Sequence, residues 1–150
     1  MLVERMSEKT LSDDEQLKRR KAIPELFLST PYLSTLGLVI DRYEPDDVVV
    51  RLPFQPEFTN DGKTYHGGVV ATMLDTAGAL AAWSNHDFDR GVRAATVSIS
   101  TQYLASSDRS DLICSAETLR RARELIFTQI TATDVAGRLL AHAIQTYRIT

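Results

Sequence analysis

Residues 66–83 read HGGVVATMLDTAGALAAW, and how this stretch is read decides the fold. From Val69 to Trp83 a single charge, Asp75, stands among Val, Ala, Leu, Met and Gly. A helix apolar on nearly every face is a buried one, so some large element must wrap it. Upstream lies the polar loop FQPEFTNDGKTY, with the turn dipeptide Asp61-Gly62. Before that, TLGLVIDRYEPDDVVVRLP carries β-branched residues on both sides of a charged turn, Asp41 to Asp47, and reads as a hairpin closed by Pro53 and Pro56.

Downstream, after a loop at NHDFDRG, the chain turns extended. In ATVSISTQYL, Val97, Ile99, Thr101 and Tyr103 alternate with Thr96, Ser98, Ser100 and Gln102, the period of a strand with one buried face. DLICSAETLRRA, ELIFTQITAT and RLLAHAIQTYRI follow with short turns and no helix between them, which predicts antiparallel pairing. The fold class is therefore α+β: an antiparallel sheet of five or six strands packed on one long central helix. The N-terminal SDDEQLKRRKAIPELFLSTP has a helix start at Ser12, and Pro24 is expected to bend or break that helix. Residues 1–30 form an N-terminal helical extension to a main domain at 31–150.

The 150 residues are 43% hydrophobic and 25% charged, so one ordinary packed domain is expected. A net charge of −3, with no basic stripe interleaved with aromatics, argues against a nucleic-acid partner. The apolar run at 69–83 is shorter than the roughly 20 residues of a membrane span and is interrupted by Asp75. The charged opening MLVERMSEKTLSDDEQLKRRK does not resemble a secretory leader, and a cytoplasmic location is expected. The one cysteine, Cys114, lies in a strand-like run as a small hydrophobe.

Two features point to chemistry. Gly67 and Gly68 stand at the start of the helix, where backbone N–H groups lack intrahelical partners and can hold a developing oxyanion; equally, the glycines can serve only a tight turn. Asp75 is costly to bury unpaired. Ala71, Thr72, Gly78 and Ala79 flank it at helical spacing, so small neighbours leave a groove beside the carboxylate, unless Thr72 or a loop N–H simply satisfies it. Eight residues at about 1.5 Å each put Gly67 and Asp75 about 12 Å apart on one helix, whereas a base and an oxyanion donor must both lie about 3 Å from one reacting group. Two antiparallel helices across a two-fold axis solve this with composite sites, which predicts an obligate homodimer.

The stretch NDGKTYHGGVVATMLDTAG resembles the signature of hotdog-fold acyl-CoA thioesterases of the phenylacetate-degradation type, and the resemblance extends from about Leu36 to Ile149. TVSISTQYL is similar to the family's strand after the helix, and AHAIQTYRI to its last strand. The resemblance implies the hotdog fold, a dimer with composite sites and often a homotetramer, and hydrolysis of an acyl-CoA without cofactor or metal. It implies Asp75 as general base or nucleophile, Gly67 as oxyanion donor, Asn60 positioning the water or acyl group, His66 orienting the thioester side, and Thr96 in support. The chain reads YLASSDRSD where the family commonly has Arg-Pro, and residues 1–30 have no counterpart in short members.

Gly68 and Thr72 border the expected site on the substrate side. Arg120 and Arg121, in RRAR, read as a solvated turn or as contacts for CoA phosphates. His86 with Asp87 and Asp89 reads as a solvated loop rather than a metal site, and His142 as a structural or exposed histidine. Tyr43, Phe54, Phe58 and Trp83 fit an acyl pocket or the core equally. A non-catalytic acyl-CoA-binding hotdog protein, sensor or carrier, is the alternative to an enzyme; retention of Asp75 with Asn60 and HGG favours catalysis. A hydratase would call for a His paired with Asp or Glu near the helix.

Overall fold

A computed structural model describes residues 10–150; the start of the N-terminal extension, residues 1–9, lies outside the described residues. Helix α1 (Asp13–Leu28) precedes the hairpin β1 (Val39–Glu44) and β2 (Asp47–Leu52); the central helix α2 (Gly67–Ser84) follows, then β3 (Ala94–Tyr103), β4 (Leu112–Ala122), β5 (Leu125–Thr133) and β6 (Leu139–Ile149). The six strands form one sheet in the order β1-β2-β4-β5-β6-β3, antiparallel at every step. This is the expected α+β hotdog architecture, with the sheet packed on α2 and α1 lying beside it.

Alanine and glycine along α2 let the sheet approach closely. Met73, Leu74, Ala77, Leu80 and Ala81 are fully buried against inward residues such as Val50, Leu112 and Ile130. Cys114 is one of these inward residues, and burial pushes its thiol up to about 12, so it is inert packing as expected. Among the described residues no helix is long and apolar enough to cross a membrane.

Four local expectations need correction. Helix α1 begins at Ser12 with a full capping box to Glu15, but it runs through Pro24 to Leu28 instead of breaking. The interior proline costs about 3 kcal/mol, and burial of Ile23 with the packing of Phe27 and Leu28 on the core offsets it. The hairpin turn is tighter than Asp41 to Asp47, because only Pro45 and Asp46 separate the strands, with Asp46 at φ +62°. In β3 the alternation is broken by a bulge: Thr96 pairs with Tyr147 and Ser98 with Thr146, so Val97 is the extra residue and stays exposed. Finally, Arg120 and Arg121 belong to strand β4, and the turn falls at Arg123-Glu124.

The 86–90 segment is solvated only in part: Asp89 and Arg90 are exposed, whereas Phe88 is buried. His86 is buried, packed edge-on against Trp83 and Phe88, with Nε2 2.8 Å from the Gly91 carbonyl. Helix α1 docks here. Gln16 donates to Asp87 and accepts from the Phe88 N–H, and Arg20 donates to the His86 carbonyl. Burial, the largest effect, holds the His86 imidazole below its ordinary value against the opposing pull of the Gly91 carbonyl. A folded state that protonates less readily than the unfolded chain is fully stabilised above pH about 6.5 and weakens as pH falls below it. Thermal melts from pH 7.5 to 5.0 should therefore show a steeper loss of Tm in the wild type than in His86→Phe; parallel slopes would show that His86 takes no part.

Candidate active site

The loop before α2 is fixed by its own polar groups. The Asp61 carboxylate accepts from the Thr64 and Lys63 N–H groups, which holds its pKa below the usual carboxylate range, and the Asn60 N–H donates to the Thr64 carbonyl. The His66 N–H donates to the Phe58 carbonyl, which brings the chain to the helix start. His66 is the N-cap: its Nδ1 accepts from the Gly68 N–H at 2.9 Å, and its carbonyl accepts from the N–H groups of Val69 and Val70. An accepting Nδ1 puts the ring proton of neutral His66 on Nε2. Gly68 is therefore spent on the cap, and a Cβ there would press on the imidazole at 3.0 Å. The Gly67 N–H has no acceptor among the described residues, so the helix presents one free donor at the positive end of its dipole.

Gly67 and Asn60 line one cavity of about 230 Å³, together with Val70, Tyr103, Ser106 and Leu140. Tyr103 crosses its mouth and donates to the Gly67 carbonyl at 3.2 Å. Asp75 lies in a different cavity of about 270 Å³, shared with Thr72, Thr76, Thr96 and Tyr147 and walled by Phe27, Tyr32 and Leu33. Among the expected site residues the chain thus brings Asp75, Thr72 and Thr96 together, and separately Asn60 and Gly67 with His66 beside them. Within one chain the two groups do not meet.

Asp75 is half-buried between fully buried neighbours. The Thr96 hydroxyl donates to its Oδ1 at 2.7 Å, and Gln145 Nε2 donates to the same Oδ1 at 2.7 Å and to the Asp75 carbonyl at 2.9 Å. The partner expected from the helix, Thr72, instead donates back to the Gly68 carbonyl and shares a hydrogen bond with the Tyr32 hydroxyl at 2.9 Å. With both side-chain donors on Oδ1, Oδ2 has no donor among the described residues. A carboxylate held by one oxygen and open at the other is suited to take a proton or attack a carbonyl.

Neither arginine approaches either cavity wall. Arg121 is engaged by Asp46, at 2.8 and 2.6 Å, and by the Ala81 carbonyl near the C-terminal end of α2, while Arg120 is exposed. Of the aromatics, Trp83 packs on Phe88, and Phe54 on Tyr65. Gln145, Phe27 and Tyr32 were not expected at the site. Gln145 had a readable signal, since Ala141, Ala143, Gln145, Tyr147 and Ile149 form the inward series of β6 and one member is polar. The others had none, because α1 reaches the cavity only through tertiary packing. Among the described residues no cluster of His, Cys, Asp and Glu is arranged to hold a metal ion.

A family model described as the thioesterase superfamily matches residues 62–141. Acyl-coenzyme A thioesterase 13 of Homo sapiens is 28% identical over 104 residues, covering 68% of this chain and 72% of that one. Among solved structures, a thioesterase family protein from Silicibacter pomeroyi superposes with a TM-score of 0.78 at 26% identity, over 87% of this chain and 98% of its own. The PaaI protein of E. coli, from the phenylacetic acid degradation operon, superposes with a TM-score of 0.77 at 17% identity, over 89% and 96%, a likeness of fold alone. With more than half of its length matched by the family model, and with the sheet and helix arranged as in these relatives, the chain belongs to the thioesterase superfamily.

Proposed function

We propose that the chain hydrolyses an acyl-CoA thioester to the free acid and CoA, in a phenylacetate-type site built from two copies of itself. The observation that carries this reading is the separation of Asp75 with Thr96 from Gly67 with Asn60, combined with the position of β3. Among the described residues that strand is an edge of the sheet, paired only with β6, and it exposes Val97 and Tyr103. An unpaired edge of ten residues invites another strand. One half of the site borders β3 at Thr96 and the other at Tyr103. Antiparallel pairing of two β3 strands about a two-fold axis between Ile99 and Ser100 would set the Thr96 end of one protomer against the Tyr103 end of the other, twice. Pairing of such dimers into a tetramer is compatible with this arrangement.

In the composite site the Asp75 carboxylate of one protomer faces a thioester whose carbonyl oxygen accepts from the Gly67 N–H of the other. As base, Asp75 takes a proton from water while the water oxygen bonds to the carbonyl carbon; as nucleophile, Oδ2 itself bonds there and water hydrolyses the resulting anhydride. In both routes the C–S bond breaks as the oxyanion collapses and CoA leaves as the thiolate, which takes up the proton given up by water, held on Asp75 in the base route and released on anhydride hydrolysis in the other. Asn60 positions the water or acyl group, and His66 holds the helix start in place. Residues 1–30 act as an extension to the domain at 31–150, and Phe27, Tyr32 and Leu33, at and just after its end, wall the acyl side of the cavity. Arg120, with its side chain free, is the arginine available to CoA phosphates.

Three outcomes test this reading. Thiol release from a panel of aryl, short-chain and long-chain acyl-CoAs should occur for some member, and Asp75→Asn should lose about a hundredfold or more while remaining folded; binding without turnover would make the protein a carrier or sensor instead. Refolding an equal mixture of inactive Asp75→Asn and Asn60→Ala should regain about a quarter of wild-type activity, since half of random dimers are mixed and each mixed dimer holds one intact site; no recovery would exclude composite sites. Phe27→Ala should raise KM for the preferred acyl group roughly tenfold at nearly constant kcat, the scale of a lost apolar contact in a binding pocket; an unchanged acyl profile would remove α1 from the site.

A further inference from the structure

Gln145 occupies an inward position on β6 where its neighbours in the series are Ala143 and Tyr147, while Ile144 faces outward and is 39% exposed. The apolar residue points to solvent and the polar one into the core, the reverse of what packing favours. Gln145 is fully buried. Its amide orientation is unambiguous, because the group within reach presents two acceptors, the Asp75 carbonyl and Oδ1, and only the NH₂ side can answer both. The other end of the amide has no partner among the described residues: Oε1 is buried and unbonded. Such an orphan carries a penalty that a Leu or Met in the same place would avoid.

Space for the amide also comes at the expense of a helix position. Gly78, three residues beyond Asp75, lies directly under it, and a Cβ at 78 would overlap Oε1 and lie 2.7 Å from Cδ of Gln145. Glycine in a helix interior is about 1 kcal/mol less favourable than alanine. Two unfavourable choices, a buried amide with an orphaned oxygen and a glycine inside a buried helix, thus serve one contact. That contact clamps the backbone and one carboxylate oxygen of the same residue, Asp75, in a single bidentate grip.

We propose that Gln145 is a positioning residue for thioester hydrolysis: with Thr96 it locks Asp75 by Oδ1, aims Oδ2 into the cavity, and requires Gly78 for the room to do so. The inference rests on Asp75 being the reacting carboxylate. Released from this clamp, the carboxylate would rotate about its side-chain torsions, and the reacting atom would be displaced by an ångström or so, which costs on the order of a hundredfold in rate. Ground-state binding of the thioester, held by other groups, would change little.

The test uses full-length protein and two variants that reach the clamp from opposite sides. Gln145→Met keeps the volume and removes both donors; Gly78→Ala leaves Gln145 in place but drives its amide away. Each should lower kcat about tenfold to a hundredfold with KM, and the Kd of an unreactive thioether analogue of the substrate, within about threefold of wild type. Gln145→Met should melt no lower than wild type, since it deletes the orphaned oxygen. The double variant should be no slower than the worse single one, because both remove the same interaction. Unchanged kcat in Gln145→Met, parallel loss of kcat, KM and Tm, or losses that multiply in the double variant would each overturn the assignment while leaving an Asp75-dependent hydrolase intact. If wild type and Asp75→Asn release thiol equally, hydrolysis stands while the role of Asp75 and this inference fall; if neither releases thiol, the hydrolase reading and this inference fall together.

Discussion

The burial of α2 over most of its length is the constraint from which the rest of the molecule follows. Twelve of its eighteen residues are buried, on every side of the cylinder, so neither one sheet face nor one neighbouring helix could suffice. The six-stranded sheet meets the requirement, with α1 covering part of what the sheet leaves. The small residues of α2 make the close wrap possible, and they also decide where a polar group can sit. On such a helix Asp75 stays half-buried: it opens into the cavity between α2, β3 and α1 and is answered by Thr96 and Gln145.

The two ends of this helix are treated oppositely. At the C-terminal end the Ala81 carbonyl accepts from Ser84 and Arg121, and Asp46 gathers Ser84, Asn85 and Arg121 into one group that ties the β1–β2 turn to α2 and β4. The orphan carbonyls and the negative end of the dipole are thereby answered by protein. At the N-terminal end His66 caps the Gly68 N–H and its carbonyl takes two more donors, yet the Gly67 N–H is left over. A helix sealed at one end and left one hydrogen bond short at the other is asymmetric in a way that stability alone does not call for. The free donor is where the proposed chemistry needs it.

The sequence carried most of the architecture because the signals behind it are long and repeated: fifteen near-apolar residues for α2, and strands of nine to eleven residues with short turns. It failed where one tertiary contact overrides a local rule. The alternation in β3 assigned Val97 to the core, but a one-residue bulge leaves it outside and turns Thr96 toward Asp75, and nothing in a single strand announces a bulge. Pro24 argued for a bent or broken helix, and the packing of Ile23 and Phe27 keeps the helix from breaking there. His86 beside Asp87 and Asp89 looked solvated because the segment is held against α1 by Gln16 and Arg20, about seventy positions away. Arg121 was read as part of a turn because the Arg-rich run hides a strand that continues two residues further than its apolar pattern.

Several departures from local preference cluster around one side chain, while those at Pro24, His86 and Arg121 lie elsewhere. The bulge at Val97, the inverted pair Ile144 and Gln145, the orphaned Oε1 and the glycine at 78 all lie within contact range of Asp75 or of a residue that bonds it. Elsewhere local preference holds at the capping box of Ser12 and at the left-handed Gly62 after Asp61, and gives way at Pro24 inside α1 and at the left-handed Asp46 and Arg123. Departures that gather on one carboxylate concentrate strain where something other than folding sets the requirement. Each of those around Asp75 acts on the same variable, the orientation of one carboxylate. Three come from separate elements, β3, β6 and α2, and no single requirement of packing would have produced all of them.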